Sequence, residues 1–168
     1  LAALLSVGGI TYFSTDIGMR VEVQQALRAQ HDALSTAVFS YRTANNGFVH
    51  TDLGRLAAYL PEGRMPKFPG GAEPFTWSIE KVDGQFRGLC LTRNPAETLS
   101  RGVRQGVAAF VNDRGSRNPG SVTFGTRTPT GSGPCGMSGT PSSVDKDSPL
   151  DGESLSGNSS AVFSFRGI

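Results

Sequence analysis

The sequence predicts an α+β chain: a long N-terminal helix packed on a small antiparallel sheet, with a C-terminal region bounded by a disulfide. Three observations carry this. The first 46 residues are apolar and then amphipathic, two alternating runs meet at Asp83-Gly84, and the cysteines Cys90 and Cys135 stand far apart. At 168 residues and 17.7 kDa the chain has room for one core with appendages. Charged residues make up 18% with a net charge of +2, which provides no concentrated basic footprint for nucleic acid. Twenty-two Gly and ten Pro beside 8% aromatics point to extensive loops around a modest core.

Leu1 to Phe13 (LAALLSVGGITYF) carries no charge and has Ser6 and Thr11 as its polar members. Such a stretch is shorter than the roughly 20 residues that cross a bilayer as a helix, and no basic segment precedes it. It reads as part of a longer hydrophobic segment; a buried N-terminal helix of a soluble domain is the alternative. From Asp16 the pattern turns amphipathic. Ala26, Leu27, Ala33, Leu34, Ala37, Val38, Tyr41 and Ala44 recur at helical spacing, while Arg20, Glu22, Gln24, Arg28, Gln30, Asp32 and Arg42 fill the other positions. A continuous helix over residues 1–46 would extend about 69 Å, wider than a domain of this mass. Half of it must protrude, and the apolar half needs lipid or other copies of the chain around it. Gly8 and Gly9 lower helix propensity there.

The helix should stop at Asn45-Asn46-Gly47, where Gly accepts a left-handed cap. Thr51-Asp52 ahead of Leu53, Leu56, Ala57 and Leu60 predicts a short capped helix ended by Pro61, and Pro66 to Pro74 a loop. Strands are predicted over Phe75 to Val82 and Gln85 to Thr92, joined by a type I′ turn at Asp83-Gly84. Asn94-Pro95-Ala96-Glu97 predicts a helix from Pro95 to about Val111, with Leu99, Val103, Val107 and Phe110 inward. Beyond Asn112 two strands are expected, Ser121 to Thr126 and Ala161 to Phe165. Between them a segment such as Thr126 to Asn158 would lack order in isolation unless Cys135 or neighbouring subunits pin it. The cysteines do not form a CxxC pair, so one structural disulfide is expected, with two buried free thiols as the alternative. The organisation is thus a helix over 1–46, divided into an apolar part (1–15) and a part packed on the head (16–46), and a loop-rich head over 47–168.

Leu34 to Phe48 (LSTAVFSYRTANNGF) ends in a Tyr and an Asn-Gly-aromatic turn, and a strand ending in Cys90 runs straight into a helix. On these features and the order of elements the chain resembles the type IV pilin family, closest to the type IVb branch of toxin-coregulated type. The resemblance is most specific over 34–48 and 75–111. It implies the pilin fold and a filament whose core is built from Leu1, Leu4, Leu5, Val7, Gly8, Gly9, Ile10, Tyr12 and Phe13. Helix-to-head packing would come from Leu27, Leu34, Val38 and Tyr41, and the Gly8-Gly9 pair would lie where pilin helices melt on assembly. Family members carry a Glu at the fifth mature position, whereas Leu5 stands here; the Tyr41-to-Gly47 landmark falls roughly ten positions early, as expected if the N-terminal residues with that Glu are missing.

The resemblance also implies a homo-oligomeric filament outside the cell, inner-membrane lipid around the subunit before assembly, and contact with pilus assembly machinery. Adhesion, DNA transfer or conjugation, motility and phage contact are the associated roles. A type II secretion pseudopilin, a minor tip pilin acting as adhesin, and a membrane-anchored secreted enzyme are the alternatives. Chemical motifs offer little to the last of these. GxSxG, HExxH and Walker A patterns do not occur. His31 and His50 read as solvated residues, GSGPCG (131–136) as turn chemistry, and Asn158-Ser159-Ser160 as an acceptor pattern of little weight. Asp145, Asp147, Asp151 and Glu153 read as a solvated acidic loop, because their spacing does not match an EF-hand calcium site. No catalytic residue, cofactor or metal is expected.

Overall fold

The computed structural model describes residues 2–47 and 52–167, with side chains of the first helix from Thr15 onward. Helix α1 (Ala2–Ala44) runs uninterrupted for 43 residues, through Gly8 and Gly9. It is about 65 Å long at 1.5 Å per residue. Asn46 and Gly47 then take φ values of 52° and 85°, and the Gly47 N–H donates to the Arg42 carbonyl at 2.7 Å. This satisfies a carbonyl that the helix would otherwise leave without a partner.

The buried stripe of α1 runs through Val23, Leu27, Gln30, His31, Leu34, Ala37 and Val38. Tyr41 is half-buried against Tyr59, with ring centroids 5.5 Å apart. Ala44, placed on the apolar face by its spacing, is exposed. The short helix after Asp52 is a 3-10 turn over Leu53–Tyr59, whose Gly54 N–H donates to the Asp52 carboxylate at 2.8 Å. Thr51 and His50 lie outside the described residues.

Strands β1 (Phe75–Val82) and β2 (Gln85–Arg93) form the predicted hairpin, with Asp83 and Gly84 both at positive φ as a type I′ turn requires. Cys90 lies inside β2, which runs on to Arg93 and does not pass straight into a helix. Helix α2 (Arg101–Arg117) begins six residues later than Pro95 and continues beyond Val111. Asn94 caps only a tight turn, accepting from the Ala96 N–H at 3.1 Å, and Ser100 is the true N-cap, accepting from the Val103 N–H. Leu99 therefore precedes the helix, and its buried face adds Gly102, Gly106, Val111 and Gly115 to Val107 and Phe110.

Strands β3 (Val122–Arg127) and β5 (Ala161–Arg166) lie near their predicted positions; the segment between them is pinned through Cys135 and supplies an unexpected strand, β4 (Met137–Ser143). Among the described residues the sheet has five strands in the order β1-β2-β5-β3-β4, every neighbouring pair antiparallel. The C-terminal strand is thus the central one. One core gathers Leu27 and Leu34 of α1, Phe110 of α2 and Trp77, Leu89, Leu91, Phe163 and Phe165 of the sheet. The architecture is α+β, a long helix and a shorter one on an antiparallel sheet with a disulfide.

Candidate functional site

The feature of α1 with the clearest mechanical meaning is its seam with α2. A Cβ on Gly106 would stand 2.7 Å from Val23 Cβ and 2.8 Å from the Arg20 carbonyl oxygen, and one on Gly102 would stand 3.0 Å from Met19 Cβ. Only glycine permits so close an approach of the two backbones. Ion pairs close the exposed side of the seam, Arg28 to Asp113 at 2.9 Å and Arg114 to Asp32. From Asp16 onward α1 is therefore clamped to the head. The Gly102-x3-Gly106 spacing was the available signal for this contact, but attention to large apolar residues passes over it.

Gln30 and His31, read as polar surface positions, are instead interior. Gln30 accepts from the Trp77 indole N–H at 2.8 Å and donates to the Pro66 carbonyl at 2.8 Å, so its amide ties α1 to both β1 and the preceding loop. His31 lies among the rings of Trp77, Phe110 and Phe165, with centroids 5.3–6.0 Å away. Burial, with the Arg114 charge acting in the same direction, lowers its pKa to about 4 against the opposing pull of Asp32. Its Nδ1 has no hydrogen-bond partner and stands 3.6 Å from the Asp32 carboxylate. The imidazole is a neutral core group at pH 7.

A flank of α1, about 110° around the axis from the buried stripe, keeps apolar groups in water. Ile17 and Phe39 are 60% and 69% exposed, Val21 is 44% exposed, and the three lie within about 40° of one another around the helix axis. Of the residues expected to pack helix on head, Leu27, Leu34 and Val38 are in the core and Tyr41 at its rim. Of those expected in a filament core, Leu1 lies outside the described residues, and the side chains of Leu4, Leu5, Val7, Ile10, Tyr12 and Phe13 likewise. Among the described residues no helix is long and apolar enough to cross a membrane.

Cys90 and Cys135 form a disulfide with Cα atoms 5.8 Å apart, joining β2 to the turn Pro134–Gly136. Beside it the Glu80 carboxylate accepts from the Cys135 N–H at 2.8 Å and pairs with Arg166. Among the described residues Glu80, Cys90 and Cys135 are the one group of three with metal-ligand atom types close together, and the bonded sulfurs supply no thiolate. The acidic residues of the C-terminal loop do separate work. Asp145 accepts from the Asp147 and Ser148 N–H groups, Asp151 caps the turn Gly152–Leu155, and Glu153 pairs with Arg104 at 3.2 Å.

No family model, curated protein or solved structure matches this chain. The geometry must therefore carry any functional reading. It consists of a long helix clamped along one part, an apolar uncharged N-terminal sequence ahead of the clamp, and a head stapled by a disulfide.

Proposed function

We propose that this chain is a structural subunit of an extracellular type IV pilus, with the pilin fold and closest to the type IVb branch. The observation that carries the reading is the uninterrupted α1. It exceeds the head's own diameter of about 35 Å, and among the described residues its contacts with α2 begin near Asp16. Ahead of that point the sequence offers only uncharged residues through Thr15, a poor surface to present to water. Bundling these segments in the centre of a filament removes them from water at about 25 cal/mol per Å2, offset in part by ordering. A head-to-tail contact that does not close generates an open helical polymer. The exposed Ile17 and Val21 continue this apolar character for a further turn or two toward the head.

Before assembly the segment rests in inner-membrane lipid, and the head faces a compartment in which Cys90 and Cys135 are oxidised. The subunit is not an enzyme on this reading; it works through assembly with pilus machinery and through what the tiled heads touch. The test is to shear surface material from the source cells, image it and identify its protein by mass spectrometry. Filaments containing this chain as a component are the expected result; its recovery only as a dispersed, filament-free protein refutes the proposal.

A further inference from the structure

At the end of β2, on the far side of the disulfide from the β1-β2 turn, an open cavity of about 510 Å3 is walled by two arginines, Arg93 and Arg127. Arg93 is 9% exposed, and its Nη1 donates to the carbonyls of Leu155 at 2.6 Å and Asn158 at 2.8 Å. Its Nε has no hydrogen-bond partner. Among the described residues neither the buried Arg93 nor the exposed Arg127 has a carboxylate within ion-pair distance, whereas the half-buried Arg104 and Arg114 each have one. No acidic residue lines the cavity. A guanidinium held out of water without a counter-charge is a costly arrangement, and an anion entering from solvent would relieve it.

The remaining walls narrow the ligand class. Thr92, Thr128, Ser159 and Ser160 contribute hydroxyls, and Pro95 and Pro129 contribute apolar ring faces. Hydroxyls alternating with carbon faces suit a sugar ring, and a guanidinium suits a carboxylate because its N–H groups match the two oxygens. The volume suits one monosaccharide, and an open cavity covers only part of it, as for the terminal unit of a larger glycan.

We infer that this cavity binds an acidic monosaccharide unit, with its carboxylate at Arg93 and Arg127 and its hydroxyls at the Ser and Thr side chains. The assignment stands whether or not the chain polymerises. It is tested on the full chain in zwitterionic micelles by NMR titration with glucuronic acid and N-acetylneuraminic acid, using N-acetylglucosamine and inorganic sulfate as controls. At least one acidic sugar should give saturable shifts at residues 127–129 and 158–160. Arg127→Gln, an exposed position, should weaken that binding about tenfold or more with the fold unchanged. Because Arg93 also holds two carbonyls through Nη1, it is tested as Arg93→Lys, which keeps the charge but cannot hold both carbonyls and a carboxylate in the same planar arrangement, and should weaken binding as well. Equal binding of the neutral sugar, equal binding of sulfate, indifference to both variants, or no shift with either acid each overturns the assignment.

Discussion

His31 is the residue whose environment departs furthest from its sequence neighbourhood. Flanked by Gln30 and Asp32 it resembles a surface position, yet Val23, Leu27, His31, Leu34 and Val38 follow one another by four, four, three and four residues. That is the helical stripe itself, so the burial was legible to anyone who counted period before polarity. Its pKa of about 4 in the fold against an ordinary 6.5 means the unfolded chain binds the proton first as pH falls. The stability due to neutral His31 is full above pH 6.5 and drains away down to about pH 4, by on the order of 3 kcal/mol in total. Chemical denaturation of wild type and His31→Leu across pH 7 to 4 measures it. The variant should lose less stability than wild type over that span, and parallel profiles would contradict the assignment. Gly106→Ala tests the seam: the new methyl meets Val23 and a backbone carbonyl, so a loss of about 1–3 kcal/mol is expected in the same denaturation assay.

Elements were legible where local chemistry is strong and hidden where it is not. The β1-β2 hairpin follows from alternation and Asp-Gly, and the end of α1 from Asn-Asn-Gly. Strand β4, Met137–Ser143, reads MSGTPSS: it has no apolar alternation, contains Pro141 and pairs at the sheet edge, where Pro is tolerated. Only its pairing with β3 makes it a strand, and that is tertiary information. The start of α2 was misplaced because two cap-like signals, Asn94-Pro95 and Ser100, lie close together, and the first serves a turn. The disulfide is the covalent support for this weakly encoded region. Replacing both cysteines by Ala should cost roughly 2–4 kcal/mol by thermal or chemical unfolding. Hydrogen exchange should accelerate first at residues 128–143, ahead of the α1-α2 core; uniform acceleration over the head would argue against this local role.

For the molecule as a whole, the fold class and the outline of the helix-plus-head plan were readable from hydropathy and spacing, whereas the Arg93–Arg127 cavity was not. Its walls come from β2, β3, the turn that follows and the approach to β5, and no sequence window contains them together. The assembly reading makes a prediction at this scale. Wild type is expected to form high-mass species on dilution from detergent, and a charge placed in the uncharged stretch, Ile10→Lys, should abolish them while leaving the head's unfolding transition unchanged. Analytical ultracentrifugation measures it, and equal sedimentation of the two proteins would remove polymerisation through this segment.

The central position of β5 also has a consequence for biogenesis. Ribosomes add roughly 5–20 residues per second, so β2 waits several seconds beside an open flank before residues 161–166 emerge to fill it. During that interval the nascent head has an unpaired central gap, and a chaperone or a holding factor that shields it would be most useful then. Stop codons placed just upstream of residue 161 should accordingly yield chains that are degraded or aggregated, not a smaller folded head.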